Sequence, residues 1–115
     1  MSSAIFTAQT YSAPTVLLEL FGAFLKRNKD VRLETMLVFL SAAQHQGLGI
    51  KDLVYVCGLS ESTVSRTVDK LCRSDVGPLL QVEVPQTDAR RRLVYLSPDG
   101  EALLRELNML LKNHP

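Results

Sequence analysis

The chain has 115 residues, 46% of them hydrophobic and 22% charged, with a formal net charge of +1. That length fits one domain, and that balance is typical of a folded chain rather than a disordered one. So small a net charge gives no bulk attraction to a polyanion, so any cationic surface must come from arrangement. With no Trp, four Phe and three Tyr, the core must be built mainly from Leu, Val and Ala.

Residues 1–13 are rich in Ser, Thr and Ala and read as a tail ahead of a single domain over 14–115. They lack the basic start and long apolar run of a signal peptide. No stretch approaches the ~20 apolar residues of a membrane span. Cys57 and Cys72 have no CxxC pattern and no His at ligand spacing. They read as two small buried apolar side chains in a reducing, cytoplasmic setting.

Pro14 suits the first turn of a helix. Leu17, Leu20, Phe21 and Phe24 then repeat at i, i+3, i+4 and i+7, a helical period. Lys26, Arg27 and Lys29 close that helix favourably for its dipole. Residues 32–46 form a second helix, with Leu33, Met36, Leu37 and Leu40 on one face and Val38, Phe39, Ala42 and Ala43 on much of the rest. A helix apolar nearly all round is expected to be central and buried, and Gly47 and Gly49 end it. Residues 50–57 make a short third helix. Gly58, Leu59 and Ser60 follow, and Ser60 is a good N-cap for a fourth helix starting at Glu61. Gly77-Pro78 breaks the chain. Residues 79–84 and 93–97 read as two strands of a hairpin, and Pro98-Asp99-Gly100 opens the last helix. The expected class is mainly α with a small β-hairpin, in the order helix, helix, helix-turn-helix, hairpin, helix.

A short helix, a three- to four-residue turn with Gly, and a second helix make the helix-turn-helix pattern. At about 100° per residue, Val64, Val68 and Leu71 of the fourth helix share one side. Ser62, Arg66, Lys70 and Arg73 share the other, flanked by Thr63 and Ser65. Ser60 lies at the amino end, and Asp69 is the one acid on that polar face. Short hydroxyls let a backbone approach closely, and an Arg there can reach guanine O6 and N7 with two hydrogen bonds. Asp69 is expected to pair with Arg66, Arg73 or the basic loop and to orient its partner. The loop over 85–92 carries Arg90, Arg91 and Arg92 in a row. Basic loops between strands touch phosphates or enter the minor groove.

Residues 48–100 resemble the MarR family of winged-helix regulators. The run LSESTVSRTVDKL, Leu59 to Leu71, resembles that family's recognition helix. Asp88-x-Arg90, a strand, then Leu96-Ser97-x-x-Gly100 resembles its wing. The resemblance implies a sequence-specific regulator of transcription that binds double-stranded DNA as a homodimer. Helix 61–73 would lie in the major groove and wing 85–92 on the minor groove. It implies Arg90 at the wing tip, held by Asp88 through a salt bridge, with Ser62, Thr63, Ser65 and Arg66 in the major groove. Family members commonly carry a further C-terminal helix.

The terminal helices present two apolar stripes, including Leu17, Leu20, Phe21 and Phe24 on one and Leu104, Leu107 and Leu111 on the other. Together they are the expected dimer interface. No catalytic constellation, cofactor motif or metal-ligand set is visible. His45 and His114 have no evident carboxylate or nucleophile partner, and the reading is not an enzyme. The competing readings are a DNA-binding accessory factor and a winged-helix protein-interaction module, each acting with another regulator. An effector, whether small molecule or protein, is left open.

Overall fold

A computed structural model describes residues 13–73 and 77–113. The expected tail therefore lies outside the described residues, apart from Ala13, and so does His114. Helix α1 spans Ala13–Arg27 and α2 spans Leu33–Gln44. A short strand, β1, covers Leu48–Gly49 and runs directly into α3, Ile50–Cys57. After the turn come α4, Glu61–Cys72, the strands β2, Leu80–Glu83, and β3, Leu93–Leu96, and finally α5, Pro98–Lys112. Among the described residues, five helices and one small antiparallel sheet give an α+β fold in the expected order.

The sheet order is β1-β3-β2, with Leu48 opposite Val94 and Leu80 opposite Leu96. Sequence reading missed β1. Two residues are too few to show alternation, and Gly47 and Gly49 looked like helix terminators only. Gly47 does leave the helix, at φ 92°, but its amide then donates to the Val94 carbonyl at 2.8 Å.

The core is aliphatic, as the composition requires. Val38, Phe39, Leu53, Val64, Val68, Leu71, Leu80, Val94 and Leu103 are essentially inaccessible, and Phe24 meets Phe39 edge to face at 5.6 Å. Helix α2 departs from the expectation of a wholly buried helix. Val38, Phe39 and Ala42 are buried, whereas Leu33 is 64% exposed and Leu37 and Leu40 also reach the surface. The periodicity found both faces; among the described residues only one of them is covered. The cysteines also differ from expectation. Both are free and half-buried at the edge of the core.

Helices α1 and α5 pack together. Phe24 and Leu107 close the contact, and Glu106 receives Arg27 at 2.7 Å and Lys26 at 3.2 Å. The hydrogen bond from Arg27 outweighs the opposing effect of burial and, with a smaller one from Lys26, holds the Glu106 carboxyl below its usual range. A carboxyl with a lowered folded pKa stabilises above its unfolded pKa, and that stabilisation fades as pH falls through the folded value. Because the pair is partly exposed, the contribution is about 0.5 kcal/mol. Glu106→Gln is therefore expected to lower the melting temperature by about 2–4 °C at pH 7. The gap should narrow as pH falls below the unfolded glutamate pKa of about 4.3 and vanish once the folded carboxyl is protonated, as thermal melts across pH would show.

Candidate nucleic-acid interface

The turn between α3 and α4 is set by Gly58, which ends α3 in the left-handed region at φ 73° while its amide donates to the Val54 carbonyl. A residue with Cβ is strained there. Leu59 packs against the core from inside the angle. Ser60 caps α4, accepting the Thr63 amide at 3.2 Å and donating to Thr63 Oγ1 at 2.9 Å.

Helix α4 buries Val64, Val68 and Leu71 as the periodicity required. It also buries Thr67, which sequence reading did not single out. Ser62, Arg66, Lys70 and Arg73 are exposed, and Thr63 and Ser65 are half-buried beside them. Arg73 is the C-cap rather than the last helical residue, and its Nε donates back to the Asp69 carbonyl at 3.3 Å.

The three arginines of the wing do different things. Arg90 is almost fully exposed, with 95% of its side chain accessible. Asp88 steadies it, since Oδ1 accepts the Arg90 amide at 3.1 Å and lies 3.7 Å from Nε. Arg91 is exposed as well. Arg92 instead turns back onto α4. Its Nη1 donates to Asp69 Oδ1 at 3.2 Å and its Nη2 to Ser65 Oγ at 3.4 Å. Of the partners expected for Asp69, the basic loop is the one its side chain pairs with. A signal for this was present in the sequence. Arg92 immediately precedes β3 and so belongs to the root of the wing, and Ser65 and Asp69 stand one helical turn apart.

Two polar troughs flank α4. One, of about 560 Å³, lies between α3, α4 and the wing and is lined by Lys51, Ser65, Arg90, Arg91 and Arg92 together with Asp52 and Glu61. The other, of about 590 Å³, lies against the α1–α2 turn and includes Arg32, Arg66 and Lys70 with Asp30 and Glu34. Lys51 and Arg32 were not singled out by sequence reading, because neither belongs to the helix-turn-helix polar face or to the wing. Burial, then the nearby Asp69 carboxylate, push the Cys72 thiol up from its ordinary value, outweighing Arg92 and Arg73. That makes it a poor nucleophile rather than a reactive thiol.

The sequence matches no protein-family model and no curated protein. Solved structures do match its fold. The MarR family transcription regulator SP03579 superposes with a TM-score of 0.64 at 15% identity, over 92% of this chain and 66% of that one. The chain has the MarR-like winged-helix fold. BpsR of Bordetella bronchiseptica, whose DNA binding is regulated by 6-hydroxynicotinic acid, superposes at 0.62 with 20% identity, over 87% of this chain and 75% of that one. FabT of Streptococcus pneumoniae, solved in complex with DNA, superposes at 0.67 with 15% identity, over 87% and 68%. In this MarR-like domain, α3 and α4 are the helix-turn-helix and β2, β3 and the loop between them are the wing. Among its described residues no helix is long and apolar enough to cross a membrane.

The apolar stripes of the terminal helices meet α2 in a groove. Leu17, Phe21, Leu33, Leu37, Leu40 and Leu111 are among the residues lining an apolar groove of about 360 Å³ between α1, α2 and α5. Phe24 and Leu107, expected at a dimer interface, are buried within the protomer, where they join α1 to α5. Both still line the inner wall of the groove, to which α2 adds its exposed leucines.

Proposed function

We propose that the protein is a sequence-specific, double-stranded DNA-binding regulator of transcription that acts as a homodimer in the cytoplasm and is not an enzyme. The observation that carries this reading is the pairing of an exposed Ser62–Arg66–Lys70 face on α4 with the fully accessible, Asp88-steadied Arg90 of the wing. Helix α4 enters the major groove, where Ser60, Ser62, Thr63 and Arg66 meet base edges and nearby phosphates. Lys70, Arg73 and Arg91 lie along the phosphate backbone, and Arg90 reaches the minor groove. The fold shared with FabT, a protein solved in complex with DNA, supports DNA binding.

Residues 58–92 hold six basic residues, Arg66, Lys70, Arg73, Arg90, Arg91 and Arg92. They hold five acidic ones, Glu61, Asp69, Asp75, Glu83 and Asp88. Attraction by bulk charge is therefore weak, and binding depends on geometry and on two copies reading two half-sites about one helical turn apart. The apolar groove is where the second copy packs.

Selection of bound duplexes from a random library, followed by binding across a salt series, tests this. Wild-type affinity should fall steeply with salt. Arg90→Ala should weaken binding broadly, and Arg66→Ala should cost about 1–3 kcal/mol and relax preference at one base pair. Unchanged binding in both variants refutes the docking, and no binding even at low salt favours a protein-interaction module.

A further inference from the structure

We propose that Arg92 is a positioning residue: by clamping the root of the wing to Ser65 and Asp69 of α4, it fixes the spacing between the major-groove and minor-groove contacts. This rests on the DNA-binding reading above. The arginine run looks in sequence like three equivalent phosphate ligands, but the geometry separates them. Arg90 projects outward and the exposed Arg91 lies with its guanidinium beside Gly49, while the Arg92 guanidinium spans two side chains one turn apart on α4, at 3.2 and 3.4 Å. A planar fork can hold two such acceptors at once, which an ammonium cannot do with the same rigidity.

Among the described residues, these are the side-chain hydrogen bonds that join the wing to α4. Among the described residues, the other hydrogen bonds of the wing tip stay within it, from Asp88 to Arg90 and from the Asp88 and Arg91 amides to the Pro85 and Asp88 carbonyls. Arg92 thus anchors a short lever whose far end carries Arg90. The clamp also occupies Asp69, the one carboxylate on the polar face of α4, which would otherwise confront phosphate. Arg90 then meets DNA at a set distance from Arg66, and the protein reads the separation of two base-pair positions as well as their identity.

The test compares wild type, Arg92→Ala, Arg92→Gln, Asp69→Ala and the Asp69→Ala/Arg92→Ala double variant. The clamp is partly exposed, at 36% for Arg92 and 44% for Asp69, so all should stay folded. In the DNA-free protein, NMR relaxation should show residues 85–92 ordered in wild type and mobile in both Arg92 variants. On duplexes selected by the wild type, Arg92→Ala should bind about tenfold more weakly, as after loss of one good contact. Its hydroxyl-radical protection under the wing should fade, while base preference under α4 and the salt slope stay the same. The double variant should be as weak as Arg92→Ala.

An equally ordered wing in wild type and Arg92→Ala overturns this proposal alone. So does a double variant restored to wild-type affinity, since Arg92 would then only cancel the Asp69 charge. A salt slope reduced by about 0.9 with wing protection intact makes Arg92 a phosphate ligand and overturns it too. A wild type that binds no duplex removes the DNA-binding reading and this proposal with it.

Discussion

Gly100→Ala is expected to destabilise the domain by about 3 kcal/mol and to lower its melting temperature by more than about 10 °C. Gly100 is buried in the first turn of α5, and a Cβ there would overlap the Leu79 carbonyl oxygen, with the Phe39 ring a further 3.3 Å contact. Neither side can yield cheaply. The Leu79 carbonyl accepts the Ser97 amide, and the Leu79 amide donates to the carbonyl of Leu71 in α4. On the other side, Ser97 Oγ accepts the Gly100 amide at 3.0 Å and donates to the Pro78 carbonyl. Moving either backbone breaks the junction of α4, the wing and α5. Alanine's better helix propensity, about 1 kcal/mol, is too small to offset this. Gly22→Ala is the control. Nothing lies within 4 Å of its added methyl, so thermal melts should show that variant unchanged or slightly more stable.

The double variant Leu37→Glu/Leu111→Glu should turn a dimer into a monomer and weaken binding to a two-half-site duplex by about 10²-fold or more. Both side chains are substantially exposed within one protomer and line the apolar groove, so folding should be little affected. Binding to a single half-site should be unchanged. Light scattering after size exclusion reads the mass. A wild type that is already monomeric at micromolar concentration sinks the dimer.

Much of this was legible before any coordinates. The buried side of α4, the Ser60 cap and the Gly58 turn follow from short-range spacing, which a sequence pattern encodes most directly, whereas the Asp88–Arg90 pair was implied by the resemblance of the wing to the MarR family. What escaped depends on contacts distant in the chain. Strand β1 exists because the backbone after α2 meets β3, more than forty residues away. The outward face of α2 could not be told from its inward face, because both are leucine-rich and only the fold decides which is covered. Arg92 looked like its neighbours until the hairpin brought it against α4. The glycine of the wing motif was recognisable as a pattern, but its cause, the Leu79 carbonyl, is visible only in three dimensions.

The sheet order β1-β3-β2 bears on how the molecule avoids the wrong company. Unpaired strand edges invite other chains to add to a sheet, which leads to aggregation. Here one edge is two residues long and the other four. The longer edge carries Glu83 exposed near its end, with Pro78 and Pro85 just outside it. Proline lacks the amide needed to extend a ladder, so the wing is a poor template for cross-β growth. Self-association is thereby steered away from the sheet and left to the helical side of the molecule.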